Sequence, residues 1–409
     1  MCPMEKLAKE AKEAAKNLLG FTEEQRQKAL LSIAETLRES TDSILEANKK
    51  DINASQDLNS ALKDRLLLTP ERVEAMARSV ESIAYQPAVV GEIVEEYRRP
   101  NGLLVRRERI PLGVIAMVFE SRPNVVIDGA ALAIKSGNAI ILKGGKEAYY
   151  SNLILSQIVK KAIAPFLPEN SVQLIETREE VAELLKLNQY IDLMIPRGGA
   201  RLIQFVYDHA TMPVVAHFAG LCHGYVHKDA DLQKALSICL NAKVSRPGVC
   251  NAMETLLLHK ELPHEFLKTL ANQFLENKVE LRGCSEFQKI NPNILPATDA
   301  DWDTEYLEKI LSVKIVSSLE EAISHIQKHG THHTEFICTT SPNVAEKFKN
   351  QIDASCIMIN ASSRFNDGGE LGLGAEMGIS TSKVHAYGPM GAREITTTRF
   401  IVEGDGQIR

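Results

Sequence analysis

Long apolar runs are missing from this 409-residue chain, and so is any excess of positive charge. The longest apolar stretches, such as Leu112 to Phe119, fall well short of the roughly 18 to 20 residues that cross a bilayer as a helix. The net charge of −6 lacks the basic character that attracts nucleic acids. The sequence therefore predicts that neither a membrane nor a nucleic acid is a partner.

Paired cysteines are missing too. The seven cysteines are odd in number and form no CxxC motif, which argues against a disulfide framework and against a cysteine zinc site. The N-terminus is charged and lacks the continuous apolar core of a secretory signal. We therefore expect a cytoplasmic protein with free thiols, one of which is available for catalysis.

Metal-binding motifs are scarce despite eleven histidines. The only clusters are the pair His332-His333 and the helical pair His325 and His329, and neither forms part of an HExxH motif. We interpret both clusters as a solvated helix face and expect no metal site.

Length and composition are those of a multidomain globular protein. Hydrophobic residues make up 44% and charged residues 24% of the chain, and a chain of this length should form two or three domains with separate cores. Residues 4–84 carry apolar positions at helical spacing, and Thr22 with Gln25 forms a capping box. The chain is therefore expected to begin with several helices.

A charged hairpin follows the helices. Asn101-Gly102 separates two β-rich runs, which is a strong short-range hairpin signal. Because both arms are rich in Arg and Glu, we expect the hairpin to project and to pair with another subunit in a homo-oligomer. The β-branched C-terminal segment, residues 395–409, could add a strand to the same sheet.

From Gly113 onward, short apolar runs alternate with helical segments, the pattern of a parallel sheet in an α/β protein. The runs continue through residues 191–195, 213–215 and 224–228 and resume after Cys250. Two successive α/β units are predicted, with their division near residue 245.

Cys250 is the strongest single candidate for chemistry. The segment SRPGVCNAMETLLL places it just after a Pro-Gly turn, on a sharp loop or at the start of a helix. Unpaired backbone N–H groups there would lower the pKa of the thiol and stabilise an oxyanion. Taken alone, however, a single cysteine is more often an inert core residue.

Four separated blocks make the resemblance to a known family specific, since they occur in the expected order and together span nearly the whole chain. The chain resembles the gamma-glutamyl phosphate reductases, a branch of the aldehyde dehydrogenase superfamily. The blocks are VFESRPNVVIDGAALAIKSGNAIILKGGKEA, MIPRGGARLIQFV, NAKVSRPGVCNAMETLLL and RFNDGGELGLGAEMGISTSKVHAYGPMGAREITTTRF.

The resemblance implies an α/β aldehyde dehydrogenase-like fold with three parts. These are a Rossmann-like cofactor domain (1–91 and 111–245), an α/β catalytic domain (246–392), and a protruding oligomerisation hairpin with its added strand (92–110 and 393–409). It also implies NADPH-dependent reduction of L-glutamyl 5-phosphate to L-glutamate 5-semialdehyde and phosphate, in proline biosynthesis. Cys250 would form the thioester, and Asn124 would help to hold the oxyanion, although capping of the following helix explains Asn124 as well.

The cofactor and substrate assignments follow from the same resemblance. Lys143 matches a lysine that contacts the adenosine ribose, and Lys146 adds a second positive charge suited to the NADP 2′-phosphate. No GxGxxG motif is present, and Arg197-Gly198-Gly199 opens a helix that would favour an anionic phosphate. Four residues are candidates for holding the substrate's phosphate, carboxylate and amino groups: Arg122, Arg246, Arg364 and Glu376.

Two rival interpretations stay open. The first is an oxidising aldehyde dehydrogenase, which needs a general base, yet no carboxylate occurs between Val214 and Val226. His217 or His223 could substitute, although a histidine beside a strand is more often structural. The second rival is a non-catalytic protein that retains the fold. Whether a glutamate kinase is a partner is not decided by the sequence.

Overall fold

A computed structural model describes residues 2–58 and 60–409. Residues 1 and 59, which the predictions for 1–91 and 4–84 include, lie outside the described residues. The chain divides into two compact units: the first contains Met1–Ala216, Gly372–Gly378 and Val384–Arg409, and the second contains His217–Leu371 and Ile379–Lys383.

The first unit begins with the predicted helices. In the capping box, the Gln25 amide donates to Thr22 Oγ1 at 3.3 Å and the Thr22 amide donates to Gln25 Oε1 at 2.9 Å. Leu30, Ile33 and Leu37 share one helix face and are fully buried, as their spacing predicts. The helices are Pro3–Leu18, Glu23–Glu39, Thr41–Ala54, Ser60–Leu66 and Pro70–Ala84.

A four-stranded parallel sheet forms the centre of the first unit. Its order is Val172–Leu174, Ala139–Lys143, Val114–Phe119 and Leu193–Arg197. Every side chain of Val114–Phe119 is buried, as expected for a strand covered on both faces. The accompanying helices are Asn124–Lys135, Tyr149–Ile163, Arg178–Leu184 and Ala200–His209.

The predicted hairpin is present and carries a third strand. Ile93–Arg98 pairs antiparallel with Leu104–Pro111, which pairs in turn with Thr396–Glu403, so the C-terminal segment completes this sheet as expected. Gly102 at the turn has a φ of +88°, a conformation that favours glycine. All six residues of Ile93–Arg98 are exposed.

The second unit is built on a seven-stranded parallel sheet. Its order is Leu295–Pro296, Glu280–Gly283, Ile310–Val316, Met253–His259, Cys222–Val226, Thr334–Cys338 and Cys356–Ile359. Its helices are Leu232–Val244, His264–Glu276, Ser285–Gln288, Leu319–His329 and Pro342–Gln351. Two short strands, Ile379–Ser380 and Gly388–Pro389, lie near the C-terminus.

The division between the units differs from the predicted one near residue 245. Cys222–Val226 is a central strand of the second sheet, hydrogen-bonded to Met253–His259 and to Thr334–Cys338. The helix Leu232–Val244 joins it to the next strand of the same sheet. The prediction therefore assigned one strand and one helix to the wrong unit, because an apolar strand does not show in which sheet it pairs.

None of the helices in the described part of the chain combines the length and the apolar character needed to cross a membrane.

Candidate active site

Cys250 lies in the turn between the helix Leu232–Val244 and the strand Met253–His259, and it is half-buried. The alternative that a helix begins at this thiol is therefore wrong. Gly220 passes directly against the turn: a Cβ on Gly220 would lie 2.2 Å from the Cys250 carbonyl oxygen. Only glycine permits this approach, which brings the segment before Cys222 to the thiol.

Two imidazoles accompany the thiol. One ligand atom each of His217, Cys250 and His333 lies within 4.8 Å of the other two. The three residues meet because the strands Cys222–Val226, Met253–His259 and Thr334–Cys338 are parallel neighbours and each residue precedes one strand. Imidazoles beside a thiol favour its thiolate form, so the cluster provides an activated cysteine from these three side chains.

The pKa of Cys250 lies well below its ordinary value. Burial of the thiol raises its pKa, but the positive character of His333 and the interactions with His217 lower it by more. A thiolate is the nucleophilic form of cysteine. Cys250 is therefore ionised at a pH where an ordinary cysteine is a thiol.

A hydrogen bond of the ring nitrogen Nδ1 fixes the orientation of His217. Its Nδ1 lies 2.9 Å from the carbonyl oxygen of Ile379. Because a carbonyl only accepts, Nδ1 carries the proton, and in the neutral ring Nε2 keeps a lone pair. Burial lowers the pKa of His217, but Cys250, the Ile379 carbonyl and Glu305 raise it by more.

Glu305 brings a carboxylate to the glycine beside the thiol. Its Oε1 accepts a hydrogen bond from the Gly220 amide at 2.9 Å. Burial is the main cause that raises the pKa of Glu305, and the negative charge of Cys250 adds to it. The stretch from Val214 to Val226 lacks its own carboxylate, but a distant segment of the chain supplies one.

The interpretation of the histidine clusters as a solvated face is wrong for two of their members. His333 is fully buried, its Nδ1 lies 2.7 Å from Thr334 Oγ1, and its Nε2 has no hydrogen-bond partner among the described residues. His325 is buried as well. His333 lies just before an apolar strand, which indicated that it lies at the amino-terminal end of the strands of a sheet. The parallel pairing of Thr334–Cys338 with Cys222–Val226 then brings His333 close to Cys250.

Two arginines border the thiol turn. Arg364 donates through Nη1 to Oδ1 of Asn251, the residue after Cys250, and through Nε to Ser245 Oγ at 3.3 Å. Burial lowers the pKa of Arg364, and the positive charge of Arg246 lowers it further. The structure thus places two of the three predicted substrate arginines, Arg246 and Arg364, near the thiol turn, where they create a field that attracts anions.

The other predicted site residues belong to the first unit. Asn124 is the first residue of the helix Asn124–Lys135, after Pro123 at the N-cap position, so Asn124 is not the cap. Its Nδ2 donates to Asp128 Oδ2 at 2.8 Å, which fixes the direction of the amide. Arg122 is half-buried just before this helix.

The two lysines lie at the carboxyl end of the first sheet. Lys143 ends its strand and is buried, and burial is the main cause that lowers its pKa. Lys146 is exposed and borders a small cleft together with Gly144, Gly145 and Tyr149. Ligands of open parallel sheets bind at this edge, so the cleft lies where a nucleotide cofactor is expected.

Arg197 and its neighbouring glycines already have partners. Arg197 donates through Nη1 to the Glu376 carbonyl at 3.0 Å and through Nη2 to its Oε1 at 3.1 Å. These predicted cofactor and substrate residues therefore bind each other. The Gly199 amide, at the start of the helix Ala200–His209, donates to Glu120 Oε2 at 2.8 Å. Gly198 lies so close to the same carboxylate that a Cβ there would clash with it. A phosphate at this helix would have to displace Glu120.

Comparisons with known proteins agree along the whole chain. The model of the aldehyde dehydrogenase family matches residues 3–283. The chain is 46% identical to gamma-glutamyl phosphate reductase of Desulforapulum autotrophicum, covering 99% of this chain and 98% of the relative. It is 48% identical to that of Halothermothrix orenii, covering 98% and 97%. The crystal structure of gamma-glutamyl phosphate reductase from Thermotoga maritima superposes with a TM-score of 0.95 at 42% identity and covers 100% of both chains.

Proposed function

The chain belongs to the aldehyde dehydrogenase family, and from its full-length match to gamma-glutamyl phosphate reductases we infer that it performs their reaction. It reduces L-glutamyl 5-phosphate to L-glutamate 5-semialdehyde and phosphate, a step of proline biosynthesis. The observation that connects this activity to particular residues is the Cys250 thiol, whose pKa is held low by two imidazoles beside two arginines.

Cys250 is the nucleophile of the proposed mechanism. Its thiolate attacks the γ-carbonyl carbon of the acyl phosphate, the bond from carbon to the phosphate oxygen breaks, and a thioester remains. The oxyanion of this step is held by the Cys250 amide and by the side-chain amide of Asn124. One such donor typically contributes about 3 kcal/mol. The bond from Asn124 to Asp128 supports this role, because it uses one N–H and leaves the other to donate.

Arg246 and Arg364 hold the anionic groups of the substrate. Burial and the charge of Arg246 lower the pKa of Arg364, while Asp367 and Cys250 oppose this shift. Two guanidinium groups near the thiol turn would stabilise a bound anion. Arg122 and Glu376 belong to the first unit. We propose that they bind the remaining polar groups of the substrate.

A nicotinamide cofactor is expected from the family, and when bound it supplies the hydride that reduces the thioester. We assign it to the cleft beside Lys146, because this cleft lies at the carboxyl end of the strand Ala139–Lys143 and is lined by the glycine pair Gly144 and Gly145. The preference for NADPH rests on Lys143 and Lys146, the positive charges nearest this cleft. The contribution of Arg197, Gly198 and Gly199 is less favoured, since each already contacts a carboxylate.

We also propose a cellular location and an oligomeric state for the protein. We expect the protein in the cytoplasm, where the free cysteines would stay reduced. We expect a homo-oligomer formed through the exposed hairpin strand Ile93–Arg98. A glutamate kinase partner would supply the reactive acyl phosphate directly.

Glu305 favours the rival activity of an oxidising dehydrogenase. A half-buried carboxylate with a raised pKa near the thiol could act as the base that activates water. Phosphate does not depend on the Glu305 carboxylate when the reaction runs backward, because it is an anionic nucleophile and no water has to be activated.

Phosphate dependence of the reverse reaction separates the two activities. With pyrroline-5-carboxylate and NADP, the rate of NADPH formation should rise steeply with added phosphate and should not rise with sulfate at the same ionic strength. If NADPH formed equally fast without phosphate and glutamate accumulated, the chain would instead be the oxidising dehydrogenase.

A further inference from the structure

The proton balance of the reaction requires a donor. The net reaction consumes one proton, and that proton ends on the departing phosphate. A phosphate that leaves without it carries an additional negative charge and is a poor leaving group, so an acid close to the breaking bond accelerates the step.

The leaving oxygen and the attacking sulfur are bonded to the same carbon. A group that protonates the leaving oxygen must therefore lie within a few ångströms of Cys250 Sγ. His217 and His333 meet this condition, each with a ring nitrogen within 4.8 Å of Cys250 Sγ. The nearby carboxylate of Glu305 instead accepts a hydrogen bond from the Gly220 amide.

The two histidines differ in their exposure to solvent. His333 is fully buried, and its Nδ1 faces Thr334 Oγ1 at 2.7 Å and Cys222 Sγ at 3.7 Å, so it has no route for exchanging a proton with water in each cycle. His217 is only half-buried. Its Nδ1 proton is held by the Ile379 carbonyl, which leaves Nε2 as the nitrogen that can gain and lose a proton.

We propose that His217 is the catalytic acid that protonates the departing phosphate, and that His333 is a fixed group that stabilises the thiolate. This role rests on the proposed function, because it needs an acyl phosphate as the substrate.

The step balances in atoms and charge. The bond from sulfur to carbon forms, the bond from carbon to the phosphate oxygen breaks, and its electron pair takes the Nε2 proton, giving hydrogen phosphate and neutral His217. After hydride reaches the thioester, the bond from carbon to sulfur breaks, which regenerates the thiolate and releases the aldehyde without a further proton. Solvent then protonates His217 again.

The charges around His217 favour this cycle. Three titratable groups interact with it: Cys250, Glu305 and His333. The two acidic groups stabilise the imidazolium, while the His333 ring lies 5.2 Å from the His217 ring. Cys250 and Glu305 therefore raise the pKa of His217 and favour its protonated form, from which Nε2 can donate.

A comparison of two leaving groups tests the role. p-Nitrophenolate leaves readily as an anion, so acylation of Cys250 by p-nitrophenyl acetate needs the thiolate but no acid. Iodoacetamide titration first gives the pH at which the thiol is ionised in each variant. At that pH, H217Q should lose about 10²-fold or more in the phosphate-dependent reverse rate, and its ester burst should change by less than about tenfold.

The matched control is H333Q. In this variant the phosphate-dependent reverse rate and the ester burst should fall in parallel, and both should recover at a pH where the Cys250 thiol is ionised. H217N serves as a second variant, with thermal unfolding to confirm that both His217 variants are folded. Equal losses of the two rates in H217Q, or an unchanged phosphate-dependent rate, would overturn the acid role. An unaltered protein that gives the ester burst but no phosphate-dependent rate would overturn the assigned activity and this role with it.

Discussion

At the scale of single residues, the reactivity of Cys250 depends on side chains from distant parts of the sequence. The Pro-Gly turn before Cys250 suggested activation by backbone amides or by a helix N-terminus. The structure shows a turn between a helix and a strand, with imidazoles from residues 217 and 333 near the sulfur. Sequence reasoning singled out Cys250 as the proposed nucleophile but missed the two imidazoles that lower its pKa, because they approach only when three strands pair.

Loss of the nucleophile gives the first prediction. Cys250→Ala should lower the reduction rate by about 10⁴-fold or more, since covalent catalysis then has no substitute. Cofactor binding and thermal unfolding should be nearly unchanged, because the side chain is only half-buried.

Cys356→Ala is the matched control. Cys356 is also half-buried, but burial raises the pKa of its thiol to about 11, so it is protonated and inert. Appreciable activity in Cys250→Ala, or an equal loss in Cys356→Ala, would refute the assignment of the nucleophile.

Lys143 gives the second prediction. Lys143→Ala should weaken NADPH binding more than NADH binding, because only NADPH carries the 2′-phosphate. Isothermal titration with both cofactors measures the ratio, and Lys146→Ala provides the comparison with an exposed lysine in the same loop. Equal losses for the two cofactors would show that Lys143 does not recognise the phosphate.

At the scale of elements, the hairpin was predictable in detail and the sheet partners of other strands were not. Asn101-Gly102 and the alternating arms identify the hairpin because the signal is local. The strand Cys222–Val226 was recognised as a strand but was assigned to the wrong unit. A fully apolar strand fits any covered sheet, so its neighbours are determined by the long-range packing of the chain.

Self-association through the hairpin is the third prediction. Val94 and Tyr97 lie on the exposed strand Ile93–Arg98, and an unpaired, partly apolar edge favours pairing with another chain. Deletion of residues 92–110 should give monomers in sedimentation velocity.

A double substitution, Val94→Lys with Tyr97→Lys, should weaken the oligomer while the hairpin stays in place. Ile408→Lys, at an exposed residue outside the sheet, is the control and should leave the mass unchanged. If the deletion variant sedimented like the intact protein, the hairpin would need another role.

At the scale of the whole molecule, buried histidines make stability depend on pH. His325 packs against the Trp302 ring at 5.4 Å, and its Nε2 has no hydrogen-bond partner within the described chain. Burial, followed by the charges of His223 and Lys314, lowers the pKa of His325 to about 2. The unfolded chain would therefore bind a proton below about pH 6.5 that the folded chain does not.

Acid destabilisation is the fourth prediction. Stability that is present above about pH 6.5 should be lost as the pH falls, by about 1.4 kcal/mol between pH 7.5 and 5.5 for this one residue. His325→Leu should remove that part of the dependence, as measured by denaturant unfolding at both pH values. An equal pH dependence in the variant would show that His325 is not buried as a neutral ring.

The fold could be recognised from the sequence, and Cys250 could be singled out as the candidate nucleophile, because local patterns and family blocks carry both. The pairs Arg197 with Glu376 and Gly220 with Glu305 could not. Each joins segments far apart in the chain, and a single sequence contains no signal for such contacts.

The three-stranded sheet has a consequence for biosynthesis. Leu104–Pro111, its central strand, pairs with Thr396–Glu403, far along the chain. On the ribosome the hairpin emerges long before this third strand, and its inner strand stays open until residues 396–403 have been made. Nascent chains expose this edge until then, as do chains truncated near residue 395, and unpaired edges of this kind aggregate. The Arg and Glu side chains of the two hairpin arms protect the unpaired edge before the third strand is made, because charged edges resist mispairing between neighbouring nascent chains.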